Sequence, residues 1–538
     1  MWASIDMKFF GKMNTGAEPL MRNTSLSGRL TTFASLAFLA AGVAVAVVAC
    51  SSTEKRSGFE PEPKPEAGIE AGNPFTPGKV PCSGLACKRP TCDRPGFSVQ
   101  AVNPDGLEDG AKCPSTNGHD CKSGVCDDKK VCAPRSSATT TITGKVYDPA
   151  GANALYNVMV YIPGGPNGDA ELPVITEGVS CETCASVALD PMVVALTNTK
   201  GEFELVDVPV DKEIPIVVQV GKWRRKFKVP VTKGCEENKI PDHDFRLPKN
   251  GKEGDMPNIA VTTGGCDALA CLLRGIGIDE SEFVAGDSAP GHVHVFNGDV
   301  STSGKFPGAP NAGGDTVNPF GGQLWNDVAK LSKYDMVMMS CECDEHNENK
   351  GGDVGRPGAR QAMWEYANAG GKIFGTHYHY TWFKNSPQQD WQQIASWGNG
   401  GGGFGDIYDV DQTFPKGASL ADWLVNVNAS STKGQIQLTG VTNALSSVKP
   451  PAQSWVKKGS DGVRYFSVNT PIAAPVAEQC GRAVYGDLHL MGNGSSAAFP
   501  SGCPASGGLA AQQKALEFMF FDLAGCVQAD NTPPVLPH

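Results

Sequence analysis

The stretch ARQAMWEYANAGGKIFGTHYHYTWF, residues 359–383, decides the fold of the C-terminal half of the chain. Ala359, Ala362, Met363, Tyr366 and Ala367 recur at helical spacing, which predicts a helix with one apolar face. Gly370-Gly371 ends it. KIFGT (372–376) is then a short buried strand, and it runs straight into two histidines, two tyrosines, a tryptophan and a phenylalanine.

The same alternation extends in both directions. NIAVTT (258–263) reads as a strand, ALACLLRGIGI as a helix, VHVF (293–296) as a strand. GQLWNDVAKL reads as a helix with Leu324, Val328 and Leu331 on one face, and YDMVMMS (334–340) as a fully apolar strand. RAVYGDLHL is a late strand, and AQQKALEFMFFDLAGC a closing helix with Leu516, Met519, Phe520 and Leu523 inward. Strands alternating with helices imply a parallel sheet covered on both faces, here over 256–528. Residues 398–475 read as an insertion with a Gly-rich loop, a helix at ADWLVNV and a hairpin at WVKKGSDGVRYFSVN. Residues 529–538 are a tail.

Residues 138–248 carry a different pattern. TTTITGKVYDP alternates Ile142, Gly144 and Val146 against polar neighbours, and further short strands follow between Pro and Gly turns. This predicts an all-β sandwich of about seven strands.

The N-terminal part is not a folded core. Arg22 and Arg29 precede the apolar run LTTFASLAFLAAGVAVAVVAC, which ends at Cys50. A charged start, an apolar centre and small residues before a cysteine make an export signal within 1–50. An uncleaved membrane anchor is the alternative, since a span needs about 20 apolar residues. Met21 is the expected start. Residues 51–81, rich in Pro, Glu, Lys and Gly, are an extended, disordered tether.

Export fixes how the 18 cysteines are read. Residues 82–134 hold Cys82, Cys87, Cys92, Cys113, Cys121, Cys126 and Cys132 among few apolar residues, so the segment needs disulfides. Zinc is the rival there, but the spacings are not paired CxxC. Cys181, Cys184, Cys235, Cys266, Cys271, Cys480, Cys503 and Cys526 are further disulfide candidates, with Cys235 one candidate partner for the Cys181/Cys184 pair. Cys341 and Cys343 are expected to be bonded too. Setting Cys50 aside leaves an odd number, so at least one is free or bonded between chains. A net charge of −11 without a long basic run argues against nucleic acid as a partner.

Three resemblances add to this reading. Val47-Val48-Ala49-Cys50 resembles the bacterial lipobox, which implies lipidation of Cys50. Membrane contact would then be through that lipid, and Ser51, in place of an aspartate, favours the outer membrane or cell surface. TGKVYDPAG, NVMVYIP and TNTKGEFELVDVP together resemble the carboxypeptidase regulatory-like (transthyretin-like) domain, a non-catalytic module. The C-terminal half resembles the flavodoxin-like class I glutamine-amidotransferase-like superfamily, nearest its ThuA-like branch: Gly370-Gly371, Gly375 and His377 match one motif, and Arg482, Tyr485 and His489 a second. The whole arrangement resembles surface lipoproteins of myxobacteria-like bacteria. The departure matters: where that superfamily places a cysteine nucleophile, this chain has His377, so glutaminase chemistry is not expected.

Candidate site residues cluster at predicted strand ends. His377, His379, His489 and Asp487 are the candidate catalytic groups. His377 and His379, two residues apart on an extended segment, point the same way. With His489 or Asp487 they would form a zinc site with an open position for hydrolysis. Tyr378, Tyr380, Trp382 and Glu342 are the candidate ligand-binding residues, flat faces with polar tips that suit a carbohydrate or peptide. Packing beneath the 398–475 segment is the bland reading of the same residues, and strand alternation alone accounts for His292 and His294. The functional expectation is an exported surface binding module for carbohydrate or peptide; the alternative is a metal-dependent or histidine-based hydrolase.

Overall fold

A computed structural model describes residues 139–184, 191–302, 304–314, 322–350, 358–398, 405–459, 461–490 and 499–534, with short pieces at 85–88, 98–99, 111–112, 125–126 and 131. The signal, Cys50, the tether and the side chains of the seven cysteines in 82–134 lie outside the described residues. In that segment β1 (Ser98–Val99) pairs antiparallel with β2 (Val125–Cys126). No described helix is long and apolar enough to cross a membrane.

The β-rich part has eight strands, one more than the pattern suggested. They are β3 (Thr141–Tyr147), β4 (Met159–Ile162), β5 (Val193–Leu196), β6 (Glu202–Val206), β7 (Asp211–Val220), β8 (Trp223–Val231), β9 (Glu237–Lys239) and β10 (Phe245–Arg246). One sheet has the order β10-β3-β6, with β9 also on β3; the other runs β5-β4-β7-β8. Ile142 and Val146 on β3, Phe203 and Leu205 on β6, and Ile216 and Val218 on β7 are buried in one core. The extra strands are short: β9 and β10 lie parallel to β3, end to end along one edge.

The remainder is one ten-stranded sheet with helices on its faces and a separate two-stranded sheet. In chain order it comprises β11 (Ile259–Thr263), α1 (Leu269–Ile276), β12 (Phe283–Ala285), β13 (Val293–Asn297), α2 (Val328–Leu331), β14 (Met336–Met339), α3 (Asn347–Lys350), α4 (Ala359–Asn368) and β15 (Lys372–Thr376). Then follow α5 (Thr381–Lys384), α6 (Gln389–Gln393), β16 (Ala395–Trp397), β17 (Asp406–Val410), α7 (Pro415–Asn426), β18 (Gln435–Leu438), β19 (Leu445–Val448), β20 (Gln453–Lys458), β21 (Asp461–Thr470), β22 (Gly481–Gly486) and α8 (Ala511–Ala524). Strand order is β12-β13-β11-β14-β15-β22-β21-β20-β17-β18. The first six are mutually parallel; the last four are antiparallel. The chain reverses direction across the sheet between β11 and β14, where such sheets place their ligand crevice.

One expectation needs correction. The helix read over 322–331 is only Val328–Leu331, because the Asp327 side chain caps Ala329 and Lys330 and starts it there. The 398–475 segment falls between β15 and β22, which are neighbours in the sheet, and its β17, β18, β20 and β21 extend that sheet.

The disulfides tie the two parts together. Cys181–Cys480 and Cys184–Cys526 join the loop after β4 to the approach of β22 and the end of α8. That overturns Cys235 as their partner, although Cys235 is itself disulfide-bonded. Cys266–Cys343 and Cys271–Cys503 stay within the α/β part. Trp223 of β8 meets Phe520 and Phe521 of α8 edge-on, so the sandwich rests on that helix.

At the same seam Asp148 and Glu517 share a hydrogen bond, and Asn153 donates to Glu517 at 2.8 Å. Two buried carboxyls in contact need a proton between them. Burial raises Asp148; burial, then Asp148 itself, raises Glu517, while Lys514 opposes weakly. A carboxyl raised in the folded state stabilises the fold at low pH and loses that contribution as pH rises from the unfolded carboxyl value through the folded one. Glu517→Gln is therefore expected to raise the thermal midpoint at pH 8 while changing it little at pH 4, a gain on the order of 1–3 kcal/mol. An unchanged pH profile in the variant would remove the carboxyl pair as the cause.

Candidate metal centre

Sheet register brings three side chains to one point. Met339, Gly375 and Tyr485 sit side by side on β14, β15 and β22. Just beyond the carboxyl ends of those strands come Cys341, His377 and His489. Their ligand atoms all lie within 4.8 Å of one another, and among the described residues this is the one such group of three His, Cys, Asp or Glu. His377 Nδ1 is 2.9 Å from His489 Nε2 and 3.5 Å from Cys341 Sγ.

The backbone holds each member. His377 turns from β15 into a 3₁₀-helix, His377–Tyr380, with φ of 39°. A side-chain-bearing residue in that left-handed region is strained, the sharp strand-to-helix turn that exposes a reactive side chain in elbow motifs. Gly375 makes the turn possible, since a Cβ there would approach the His379 Cβ to 3.1 Å. Tyr485 donates its hydroxyl hydrogen to the His377 carbonyl at 2.7 Å. Cys341 donates its N–H to Thr376 Oγ1 at 3.1 Å and accepts from the Cys266 N–H at 3.0 Å. That last contact needs Gly264, where a Cβ would fall 2.2 Å from the Cys341 carbonyl oxygen.

Burial governs the protonation of these groups. Cys341 is free and fully buried, contrary to the expected disulfide; its neighbour Cys343 bonds Cys266 instead. Burial pushes the Cys341 thiol up to about 12, so by itself it stays a neutral thiol. Burial also lowers His489, keeping that imidazole neutral with a lone pair to give. A tetrahedral zinc with bonds of about 2.3 Å to sulfur and about 2.0 Å to nitrogen would hold S and N ligands about 3.5 Å apart and two N ligands about 3.3 Å apart. The two imidazole nitrogens would part by a few tenths of an ångström, and His489 would close on Cys341, from which it stands at most 4.8 Å away. The donor set, one thiol and two imidazoles, is a zinc set.

Three of the sequence-predicted residues stand elsewhere. His379 does not share a face with His377, because the 3₁₀ turn rotates successive side chains by about 120°. Its Nδ1 accepts from Trp382 Nε1 at 3.0 Å, and its Nε2 donates to the Ser340 carbonyl at 2.9 Å. Both nitrogens are occupied, and burial lowers its pKa well below the ordinary value, so it is a neutral packing residue. Asp487 is buried and accepts from Thr442, Leu445 and Ala444, with Arg464 beside it; its oxygens pin the 442–445 segment. Glu342 is buried against Lys350. Two of the proposed stacking residues are interior as well: Trp382 lies against Trp325 at 5.3 Å, and Tyr380 donates to Glu345 at 2.6 Å. Tyr378 alone of the four remains half-buried, its ring 4.0 Å from the His377 ring. His292 and His294 lie at the amino end of β13, away from the cluster, against Glu282 and Tyr334.

No family model matches the chain, and no curated protein does. Two solved complexes of type II cohesin with X-dockerin from Acetivibrio cellulolyticus share 13% and 12% identity, each with a TM-score of 0.14. They cover 24% and 28% of this chain and 78% of theirs. Similarity at that level says nothing about the site.

Proposed function

We propose that the α/β part binds one divalent metal ion, zinc in the first instance, on Cys341, His377 and His489, and hydrolyses a bond in an extracellular saccharide or peptide. The convergence of one thiol and two imidazole nitrogens within 4.8 Å carries this reading. Three protein ligands leave a fourth position open, as catalytic rather than structural zinc sites do. A metal held there supplies a water acidified to near neutrality. Tyr378, beside His377 and half-buried, offers a face for a sugar ring or an apolar side chain.

The setting we infer is an exported, lipid-anchored protein of the outer membrane or cell surface. The signal-like run, the lipobox-like Cys50 and the disulfides support it. The six parallel strands β12-β13-β11-β14-β15-β22, in chain order second-third-first-fourth-fifth-sixth, make a doubly wound sheet with its switch point between β11 and β14. It supports a ThuA-like, amidotransferase-like ancestry, and the eight-stranded sandwich supports a transthyretin-like module. A second reading, a binding module without turnover, is favoured by Tyr378 against His377 and by the half-buried Trp397, whose ring lies 5.6 Å from that of Tyr485.

The test is metal uptake by the full chain purified without chelator. Near one zinc per chain is expected. Cys341→Ser, His377→Ala and His489→Ala should each weaken zinc at least about 100-fold. Cobalt in place of zinc should give a thiolate charge-transfer band that Cys341→Ser abolishes. A folded chain taking up neither metal at micromolar concentration sinks the proposal. Stoichiometric metal and ligand binding without turnover would select the second reading.

A further inference from the structure

A cleft of about 400 Å³ opens between the sandwich and the α/β part. Its walls bring Lys145 of β3, Lys200 of the turn before β6 and His243 to face Lys514 of α8 and Asn428 beyond α7. No aspartate or glutamate lines it, in a chain whose net charge is −11. Three lysines thus line it, with the nearest acids, Glu202 against Lys145 and Asp242 beside His243, outside the lining.

A further feature points the same way. Lys514 lies in the first turn of a 14-residue helix that has no acidic residue there. The helix dipole is positive at that end, so a lysine costs stability where an acid would add it, and the positive potentials add. The left-handed Asn428 on the same wall is the C-terminal turn of α7, its N–H and that of Ala429 returning to the Val425 and Leu424 carbonyls. His243 is tied down by Nδ1 against the Gly151 carbonyl at 2.8 Å and stacks on Tyr147 at 4.3 Å.

The charges facing the cleft are few. Lys145 is 3.8 Å from Glu202, a loose pair with both partners about a third or more exposed, hence weak. Lys514 spends one N–H on the Val427 carbonyl at 2.6 Å and keeps two. Asp242 adjoins His243. Beneath the floor, Asp148 and Glu517 share a proton.

We propose that this cleft binds the oxyanion groups of an acidic ligand, phosphate, sulfate or carboxylate, with Lys145, Lys200 and Lys514 as the recognising cations. The volume admits more than one such group, so the ligand is a free oxyanion or an acidic saccharide that carries them.

The experiment is calorimetric titration of the full chain at low ionic strength with inorganic phosphate, inorganic sulfate and a short polygalacturonate. Binding of polygalacturonate at least tenfold tighter than either inorganic ion assigns the acidic saccharide; binding of phosphate or sulfate at equal or greater strength assigns the free ion. In either case affinity should fall as salt rises, and Lys145→Ala/Lys200→Ala should weaken it at least tenfold. Both lysines lie on the surface of the sandwich, so this variant keeps its fold; Lys514→Met, on the opposite wall, is the independent check. No binding of any of the three probes, or binding unchanged in both variants, overturns the proposal. Zinc uptake at Cys341, His377 and His489 should be the same in both variants, which keeps this test separate from that of the metal centre.

Discussion

Arg482→Ala is expected to destabilise the α/β part by about 3–5 kcal/mol, the cost of leaving buried charges without their partner. Arg482 lies on β22 and is 2% exposed. Its guanidinium donates to Asn469 Oδ1 at 2.7 Å, Asp522 Oδ2 at 2.8 Å and Asp530 Oδ1 at 2.6 Å. Lys416 of α7 completes the network, 2.7 Å from Asp522 and 3.6 Å from Asp530. One arginine therefore ties a central strand to α8 and to the segment after Cys526. Burial alone would raise the Asp530 carboxyl, but Arg482 and then Lys416 hold it below its ordinary value. A lowered carboxyl contributes stability above the unfolded carboxyl pKa and loses it as pH falls through the folded one. The deficit of Arg482→Ala should thus be largest at neutral pH and shrink toward pH 3. Arg482→Lys should recover less than half, since a point charge cannot bridge two carboxylates and an amide. Urea unfolding midpoints at pH 7 and pH 4 check this; equal deficits at both would mean lost packing, not lost pairing.

Arg482 also illustrates what the sequence could and could not say. It is recognisable there as part of a motif ending at His489, but nothing local reveals that its partners lie 40 and 48 residues away. KIFGT coincides with β15, because an apolar run bounded by glycines has one reading. The four residues after it are where periodicity misleads. His-Tyr-His-Tyr alternates like a strand, yet the chain has already turned at His377, so the second histidine packs inward. Cys341 is legible as a cysteine at the end of the YDMVMMS strand, but the sequence points to a disulfide there. Which one stays free depends on Cys343 reaching Cys266 across the ends of β14 and β11. Likewise, antiparallel pairing with a neighbour leaves no mark in β17, β18, β20 and β21 of which sheet is being extended.

Lys350→Ala should cost about 3–5 kcal/mol at pH 8 and much less at pH 4. Lys350 ends α3 and donates to Glu342, with both side chains 1% exposed. It also donates to Asn349 Oδ1 at 3.0 Å and lies 5.0 Å from the Trp325 ring centre. Glu342 follows Cys341 directly, so this pair adjoins the candidate metal centre. Its Oε1 has no hydrogen-bond partner, which leaves Lys350 as the main compensation for a fully buried carboxylate. Burial raises the Glu342 pKa, and Lys350 is the largest influence opposing it. Without the lysine the carboxyl rises further and takes up a proton on folding. Stability of the variant then falls as pH climbs from the unfolded carboxyl value, because the unfolded chain releases that proton and the folded chain must keep it or bury a lone charge. The deficit therefore grows with pH, in the same direction as that of Arg482→Ala. Replacing both partners, Glu342→Leu with Lys350→Met, removes the charges together and should come within about 1 kcal/mol of the parent or exceed it. If the double variant is as unstable as Lys350→Ala, packing around Trp325 rather than the ion pair is what Lys350 provides. If it is stable and keeps its cobalt–thiolate band, the pair supports the fold beside Cys341 and takes no part in ligation.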